Sequence, residues 1–293
     1  MSPGAPCYTV SPIENHRKRE KGVLVYPVYS RRSGGLSVGV NLFPDRKRCS
    51  FDCPYCEVFP FATNAVFSPE QMEKDLRSAL AVALKQGIPV RDICFSGNGE
   101  PTMSEDFHEA LRRAGRVRDE MVSGAELVLI TNGSGLLDEG LFSVLRDAAR
   151  GSLALDIWLK ADAGTSEWYE KIDRSDIPFE KIISKIKEFC ACAPLTVQTM
   201  LCAVDGREPP SQEAEAWIKL IVELAVIAGA SAASGKGGAV RKIQIYGKAR
   251  PAPCDPKASP LPAEYLEERA RSLRSALAAT PAACNGPPVE VYP

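Results

Sequence analysis

From about residue 36 onward, short β-rich runs alternate with longer helical patterns, and this alternation constrains the fold more than any other feature of the chain. The runs are 36–43 (LSVGVNLF), 91–96 (RDICFS), 125–131 (AELVLIT), 153–160 (LALDIWLK), 195–201 (LTVQTML) and 241–246 (RKIQIY). Helical patterns fill the gaps at about 69–87, 104–121, 138–149, 178–190 and 211–229, with one more at 262–279. The first helix is well punctuated. Ser68 is placed as its N-cap, Pro69 at its first position, Gln71 to complete a capping box, and Gly87 as its stop. Strands joined through helices imply right-handed crossovers and a parallel sheet. Several runs are apolar on both faces, as parallel strands are. Six repeats fall short of a closed eight-fold barrel. The expected fold is therefore α/β, a partial (β/α)6 barrel of parallel strands over 36–248. A basic extension (1–35) precedes it, and a strap and helix (249–293) follow it. Two stretches read as irregular: 229–240 is a Gly/Ser/Ala-rich loop, and 249–262 is too proline-rich for a helix.

Parallel sheets of this kind bind ligands at the carboxyl ends of their strands. The loop after strand one carries "CSFDCPYC" (49–56), strand two is followed by "GNGEPT" (97–102), strand three by "TNGS" (131–134), and strand four ends in "KADAG" (160–164). All four fall on one rim. Cys49, Cys53 and Cys56 form a CxxxCxxC motif, and no further Cys or His follows before Cys94. A structural zinc takes four ligands, which would require a distant fourth. A [4Fe–4S] cluster held by three thiolates keeps one iron open, and an open position marks a catalytic centre. In the glycine-rich loop, Gly97 and Gly99 let backbone approach a ligand closely, and Glu100 can accept hydrogen bonds from an ammonium group. Lys160 and Asp162 are two apart at a strand end and point the same way. They are candidates for a ligand's carboxylate and hydroxyls, or for a rim salt bridge.

The cysteine motif after a first βα-type strand, with the glycine-rich loop one unit later, resembles the radical S-adenosylmethionine (SAM) superfamily. The resemblance implies a [4Fe–4S] cluster on Cys49, Cys53 and Cys56, and SAM chelating the open iron. It implies reductive cleavage to a 5′-deoxyadenosyl radical that abstracts hydrogen from a substrate. Tyr55 would lie against the adenine. Gly97, Asn98, Gly99 and Glu100 correspond to the glycine-rich motif, Thr131 and Asn132 to the third-strand motif, and Lys160 and Asp162 to the fourth. Gln198 and Tyr246 are weaker candidates for the same pocket. An external electron donor, flavodoxin- or ferredoxin-like, is implied as a partner.

"YPVYSRRSGGLSVGVNLFPDRKRCSFDCPYCEV", "KIDRS" and "IQIYGKARPAP" further resemble the wyosine-type branch (tRNA imidazoguanosine synthetase-like), which rebuilds a tRNA guanosine. That branch carries a second cluster; here only Cys7, Cys202 and Cys254 could converge near the rim. Ser175 stands where proline is expected. Net charge is −1, which argues against binding nucleic acid through bulk charge. Between Glu14 and Arg48, however, nine Lys/Arg face three acids, giving 9 − 3 = +6. This run is either a solvated arm or an anion site beside the cysteine loop. No secretion signal or membrane-length apolar run is read, so ten cysteines suggest a reducing cytoplasm. Three functions stay open: a radical enzyme acting on RNA, one acting on a small molecule or protein (glycyl-radical activase-like), or a non-catalytic iron–sulfur or zinc protein.

Overall fold

The computed structural model describes residues 22–250, 252, 255–280 and 286–293. Six parallel strands lie side by side in chain order: β2 (Gly35–Val40), β3 (Val90–Phe95), β4 (Glu126–Thr131), β5 (Asp156–Lys160), β6 (Pro194–Leu201) and β8 (Ala239–Gly247). Sequence order equals spatial order, so each helix crosses to the next strand along one face. The six runs expected from the sequence are these strands, displaced by at most a few residues at their ends. The sheet is the curled, mostly parallel half-barrel anticipated. It gains two strands the sequence reading missed. β1 (Val25–Ser30) pairs antiparallel with β2, and β10 (Val289–Tyr292) pairs parallel with β8. Pro27 sits inside β1, which is tolerable on an edge strand where no neighbour needs its missing N–H. The sheet curls far enough for the β1–β2 turn to reach β10. The Arg31 guanidinium donates to the Pro293 carbonyl, and the Tyr292 hydroxyl donates to the Arg32 carbonyl at 3.3 Å.

The helices are α1 (Pro69–Lys85), α2 (Phe107–Met121), α3 (Glu139–Arg150), α4 (Ser166–Ile172), α5 (Phe179–Cys190), α6 (Ser211–Ala233) and α7 (Ala263–Ala278). Ser68 caps α1 by accepting from the Gln71 N–H. The reciprocal half of the expected capping box is not made, because the Gln71 amide turns to Asp75 at 2.8 Å. α2 starts at Phe107 rather than at Ser104, whose hydroxyl accepts from the Asp106 N–H. The 229–240 stretch is mostly not a loop: α6 continues to Ala233 and β8 begins at Ala239. Alanine's helix preference outweighs the glycines there. α6 is long and apolar enough to cross a membrane by length and composition alone. That character is used here for packing on β8, α5 and α7. In the strap, β9 (Ala258–Ser259) pairs with β7 (Ala203–Val204).

The two faces of the sheet differ. Ile93, Phe95, Leu127, Leu129, Ile157, Leu159, Leu195, Val197, Ile243 and Ile245 face the helices and form the main core. The concave face alternates with them and is polar and aromatic. It carries Asp156, Trp158 and Lys160 on β5, Thr196, Gln198 and Met200 on β6, and Lys242, Gln244 and Tyr246 on β8. Most strands are therefore apolar on one face only, and the polar interior is where a site can form.

Candidate functional site

The cysteine loop starts where β2 ends and is tied down on three sides. On the first side, backbone pairs with backbone: the Glu100 N–H donates to the Arg48 carbonyl at 2.8 Å, and the Arg48 N–H to the Asn98 carbonyl at 3.1 Å. This approach requires glycine at position 99. Its φ is +151°, and a Cβ there would lie 1.7 Å from the Arg48 carbonyl oxygen. Gly97, at φ +130°, lets the Asn98 N–H reach the Asn41 side chain at 3.2 Å. The Asn98 amide donates to the Phe43 carbonyl at 3.1 Å, so its side chain holds the loop's root. On the second side, the Asn132 amide donates to Ser50 at 3.0 Å and approaches the Cys49 sulfur at 3.7 Å, and Ser50 donates to Ser134 at 2.8 Å. On the third side, the Asp52 N–H donates to the Asp173 carbonyl at 3.0 Å, and the Ser175 hydroxyl to the Ser50 carbonyl at 3.1 Å. The serine that replaces the expected proline is thus a loop anchor. Buried Phe51 packs edge-on against Tyr169 of α4 at 5.7 Å.

Cys49, Cys53 and Cys56 are free, partly exposed thiols on this loop. Burial pushes the Cys49 thiol up to about 11 and Cys53 higher still. Burial also works against the Lys47 ammonium, but Cys56, Asp52 and Cys49 more than offset it and hold it protonated. Among the described residues, no three His, Cys, Asp or Glu side chains converge on one metal ion. A mononuclear zinc site needs such convergence, whereas thiolates on separate corners of a cluster do not share an ion. An all-sulfur donor set suits soft-metal chemistry, iron–sulfur included. Cys202 is buried, and the other cysteines considered for a second cluster, Cys7 and Cys254, lie outside the described residues.

Glu100, the candidate acceptor for a ligand's ammonium, ties two rim loops together. Its carboxylate is buried and accepts four protein donors: the Thr102 N–H at 3.2 Å, the Thr102 hydroxyl at 2.6 Å, the Thr131 hydroxyl at 2.7 Å and the Asn132 N–H at 2.7 Å. Three of these bonds fall on Oε1 and one on Oε2, which keeps a second acceptor position. Burial raises its pKa, and the bonds from Asn132, Thr102 and Thr131 pull it back. Glu100 clamps the β3 loop to the β4 loop.

Lys160 and Asp162 bond each other, which is the salt-bridge alternative. Sequence reasoning missed the third member, Asp173, which lies 2.7 Å from the Lys160 ammonium. The Tyr55 hydroxyl accepts from Lys160 and donates to Asp162, so the cysteine loop is latched to β5. Burial opposes the charge on Lys160, but Asp162 and Asp173 hold it protonated well above its ordinary range. Side-chain exposure is 12% for Lys160, 0% for Asp162 and 4% for Asp173. Removing the cation would strand two buried carboxylates. Lys160→Met is expected to cost about 3–5 kcal/mol in urea unfolding at neutral pH. Burial already raises the Asp173 pKa above its unfolded value. The cost should therefore grow as pH rises through the raised Asp173 pKa and shrink as pH falls below it, where the folded state holds Asp173 protonated.

A cavity of about 350 Å³ opens on the concave face. Of the candidates, Tyr55, Gly97, Gly99 and Tyr246 line it. Asn132, Lys160 and Asp162 face a narrow crevice behind it. The Gln198 and Gln244 amides pair at 2.6 Å inside the half-barrel, and the Gln244 Nε2 has no partner among the described residues.

A family profile described as the Radical SAM superfamily matches residues 46–202, more than half of the 293-residue chain. Two UPF0026 proteins of Helicobacter pylori strains are 28% and 27% identical over 178 residues, which is 58% of this chain and 51% of theirs. A UPF0026 protein of Synechocystis is 28% identical over 183 residues, 60% of this chain and 63% of its own. The chain thus spans about half the length of the Helicobacter relatives. Among solved structures, native anSMEcpe with bound AdoMet is similar at 14% identity, covering 68% of this chain and 62% of that one, with a TM-score of 0.39.

Proposed function

The chain belongs to the Radical SAM superfamily, whose cofactors are a [4Fe–4S] cluster and SAM, and from that membership we propose that Cys49, Cys53 and Cys56 hold the cluster and that the enzyme reductively cleaves SAM to abstract hydrogen from a substrate. The supporting observation is the three-sided anchoring of a loop that carries three free thiols within eight residues. Held by these three thiolates, the cluster would supply one electron, taken from an external donor, for reductive cleavage of SAM to methionine and a 5′-deoxyadenosyl radical. The chain's own residues supply the rest. Gly97 and Gly99 bare their backbone to the cavity, Tyr55 offers a ring face to an aromatic ligand, and Glu100 with Thr131 and Asn132 fixes the spacing between two rim loops. Anaerobic reconstitution with iron and sulfide, reduction, and addition of SAM should yield 5′-deoxyadenosine. An intact cluster without that product sinks the reading.

A finer reading follows the wyosine-type resemblance and makes the substrate an RNA. Part of the basic run weakens as support: Arg46 and Arg48 pair with Asp45 and Lys47 with Asp52, while Arg17–Lys21 lies outside the described residues. What favours it is Arg31 and Arg32, which line the cavity. A gel shift with tRNA at low salt, lost as salt rises, is its test.

A further inference from the structure

We propose that the concave face carries a phosphate-binding subsite centred on Arg32, which takes a phosphate group of the substrate. Arg32 lies in the β1–β2 turn, where its guanidinium sits over the rings of Trp158 at 5.5 Å and Tyr246 at 4.8 Å. Stacking fixes the plane of a guanidinium and leaves its in-plane donors unspent. Among the described residues, no carboxylate forms an ion pair or hydrogen bond with it. Of the acids deeper on the same face, Asp156 accepts from Trp158 at 2.8 Å and Thr196 at 3.0 Å and lies 3.5 Å from Arg241. Asp92 accepts from Ser37 with one oxygen, has no partner among the described residues for the other, and feels the Arg32 charge without forming an ion pair with it.

The surroundings add charge of the same sign. The cavity wall holds Arg31, Arg32, Lys248 and Arg250 against a single carboxylate, Glu57, so its formal charge is 4 − 1 = +3. Glu57 is engaged by Arg250 at 2.9 Å. A concave wall of one sign concentrates oppositely charged ligands. A charge of +3 exceeds what one carboxylate would neutralise and suits a phosphate dianion. A planar arginine fork matches phosphate geometry in two-pronged contact. The phosphate has two possible sources, a small phosphate ester or an RNA.

The inference rests on the proposed function for its substrate, but its test needs no SAM turnover. An absence of 5′-deoxyadenosine and an absence of phosphate binding are therefore separate results. The reconstituted full-length protein is dialysed against ribose 5-phosphate, ribose, acetate, SAM and a 5′-phosphorylated single-stranded RNA. Ribose 5-phosphate should bind and ribose should not. Arg32→Ala, and Arg32→Lys which keeps charge without the planar fork, should each weaken ribose 5-phosphate by about tenfold or more. Arg250→Ala is the second variant, in case the turn does not tolerate change at position 32; it should weaken binding in the same direction. Arg77→Ala, on the α1–α2 surface pairing with Glu73 and Glu120, should change nothing. Arg32-dependent binding of the RNA that is tighter than that of ribose 5-phosphate assigns the phosphate to RNA, and Arg32-dependent binding of ribose 5-phosphate that is at least as tight as that of the RNA assigns it to a small ester. Equal binding of ribose and ribose 5-phosphate, acetate binding as tightly, or unchanged affinity in folded Arg32 and Arg250 variants overturns the subsite. So does loss of SAM binding in Arg32→Ala while ribose 5-phosphate still binds.

Discussion

Cys53→Ala is expected to leave a folded protein that retains little iron and yields no detectable 5′-deoxyadenosine. Cys53 sits in mid-loop, so its replacement removes a thiol without touching the three backbone and side-chain anchors. Those run through Arg48, Ser50 and Asp52. The lost packing is small, since the side chain is only partly buried and alanine keeps its Cβ. A cluster left with two protein thiolates, however, loses a corner. Iron content, the visible absorbance of the reconstituted protein and product formation should all fall together. Cys190→Ala separates this from a general effect of removing sulfur. Cys190 is buried at the carboxyl end of α5, away from the rim, and its loss should spare cluster and product at some cost in stability. Iron retained at wild-type level in Cys53→Ala would end the assignment of that ligand.

How much of this was legible in the chain depended on how local each signal was. The βα alternation, the cap at Ser68 and the clustering of motifs on one rim are local patterns, and the structure keeps them. β10 spans four residues (Val289–Tyr292) and α4 seven (Ser166–Ile172), both too short for periodicity to register. β1 was hidden by the surrounding charge and by Pro27. The partners of side chains were least visible. The bonds that Glu100 accepts from Thr131 and Asn132 could not be read, because those residues lie 31 and 32 positions away. Asp173, the third member of the Lys160 and Asp162 cluster, could not be read because it becomes a neighbour of Lys160 only in the folded chain. Arg32 belonged to a basic run, and nothing in that run shows that one guanidinium enters the barrel while Arg46 and Arg48 pair at the surface. A charge pattern reports composition, whereas direction comes from tertiary packing.

Gly99→Ala should be nearly as damaging as loss of a cysteine, although it removes no ligand and no side-chain contact. The new methyl would have to occupy space 1.7 Å from the Arg48 oxygen and 2.6 Å from its carbon, and these are backbone atoms with no rotamer to escape into. Either the β3 loop withdraws or residue 48 moves, and Cys49 follows it. Withdrawal breaks both backbone bonds between the loops, each worth about 0.5–1.5 kcal/mol, and the positive φ adds about 1–3 kcal/mol for a residue with a Cβ. The expected loss is on the order of 3 kcal/mol, concentrated where the cysteine loop meets the glycine-rich loop. The functional signature is cluster affinity. Gly99→Ala should bind iron poorly or lose it on desalting, with 5′-deoxyadenosine falling in proportion. Gly87→Ala is the matched control. Its φ is +65°, nothing lies within 4 Å of its added Cβ, and it follows the cap of α1. It should cost about 1 kcal/mol and leave iron content unchanged. If the two variants behave alike, then backbone strain alone explains the loss, and contact between the two loops does not govern where the thiols stand.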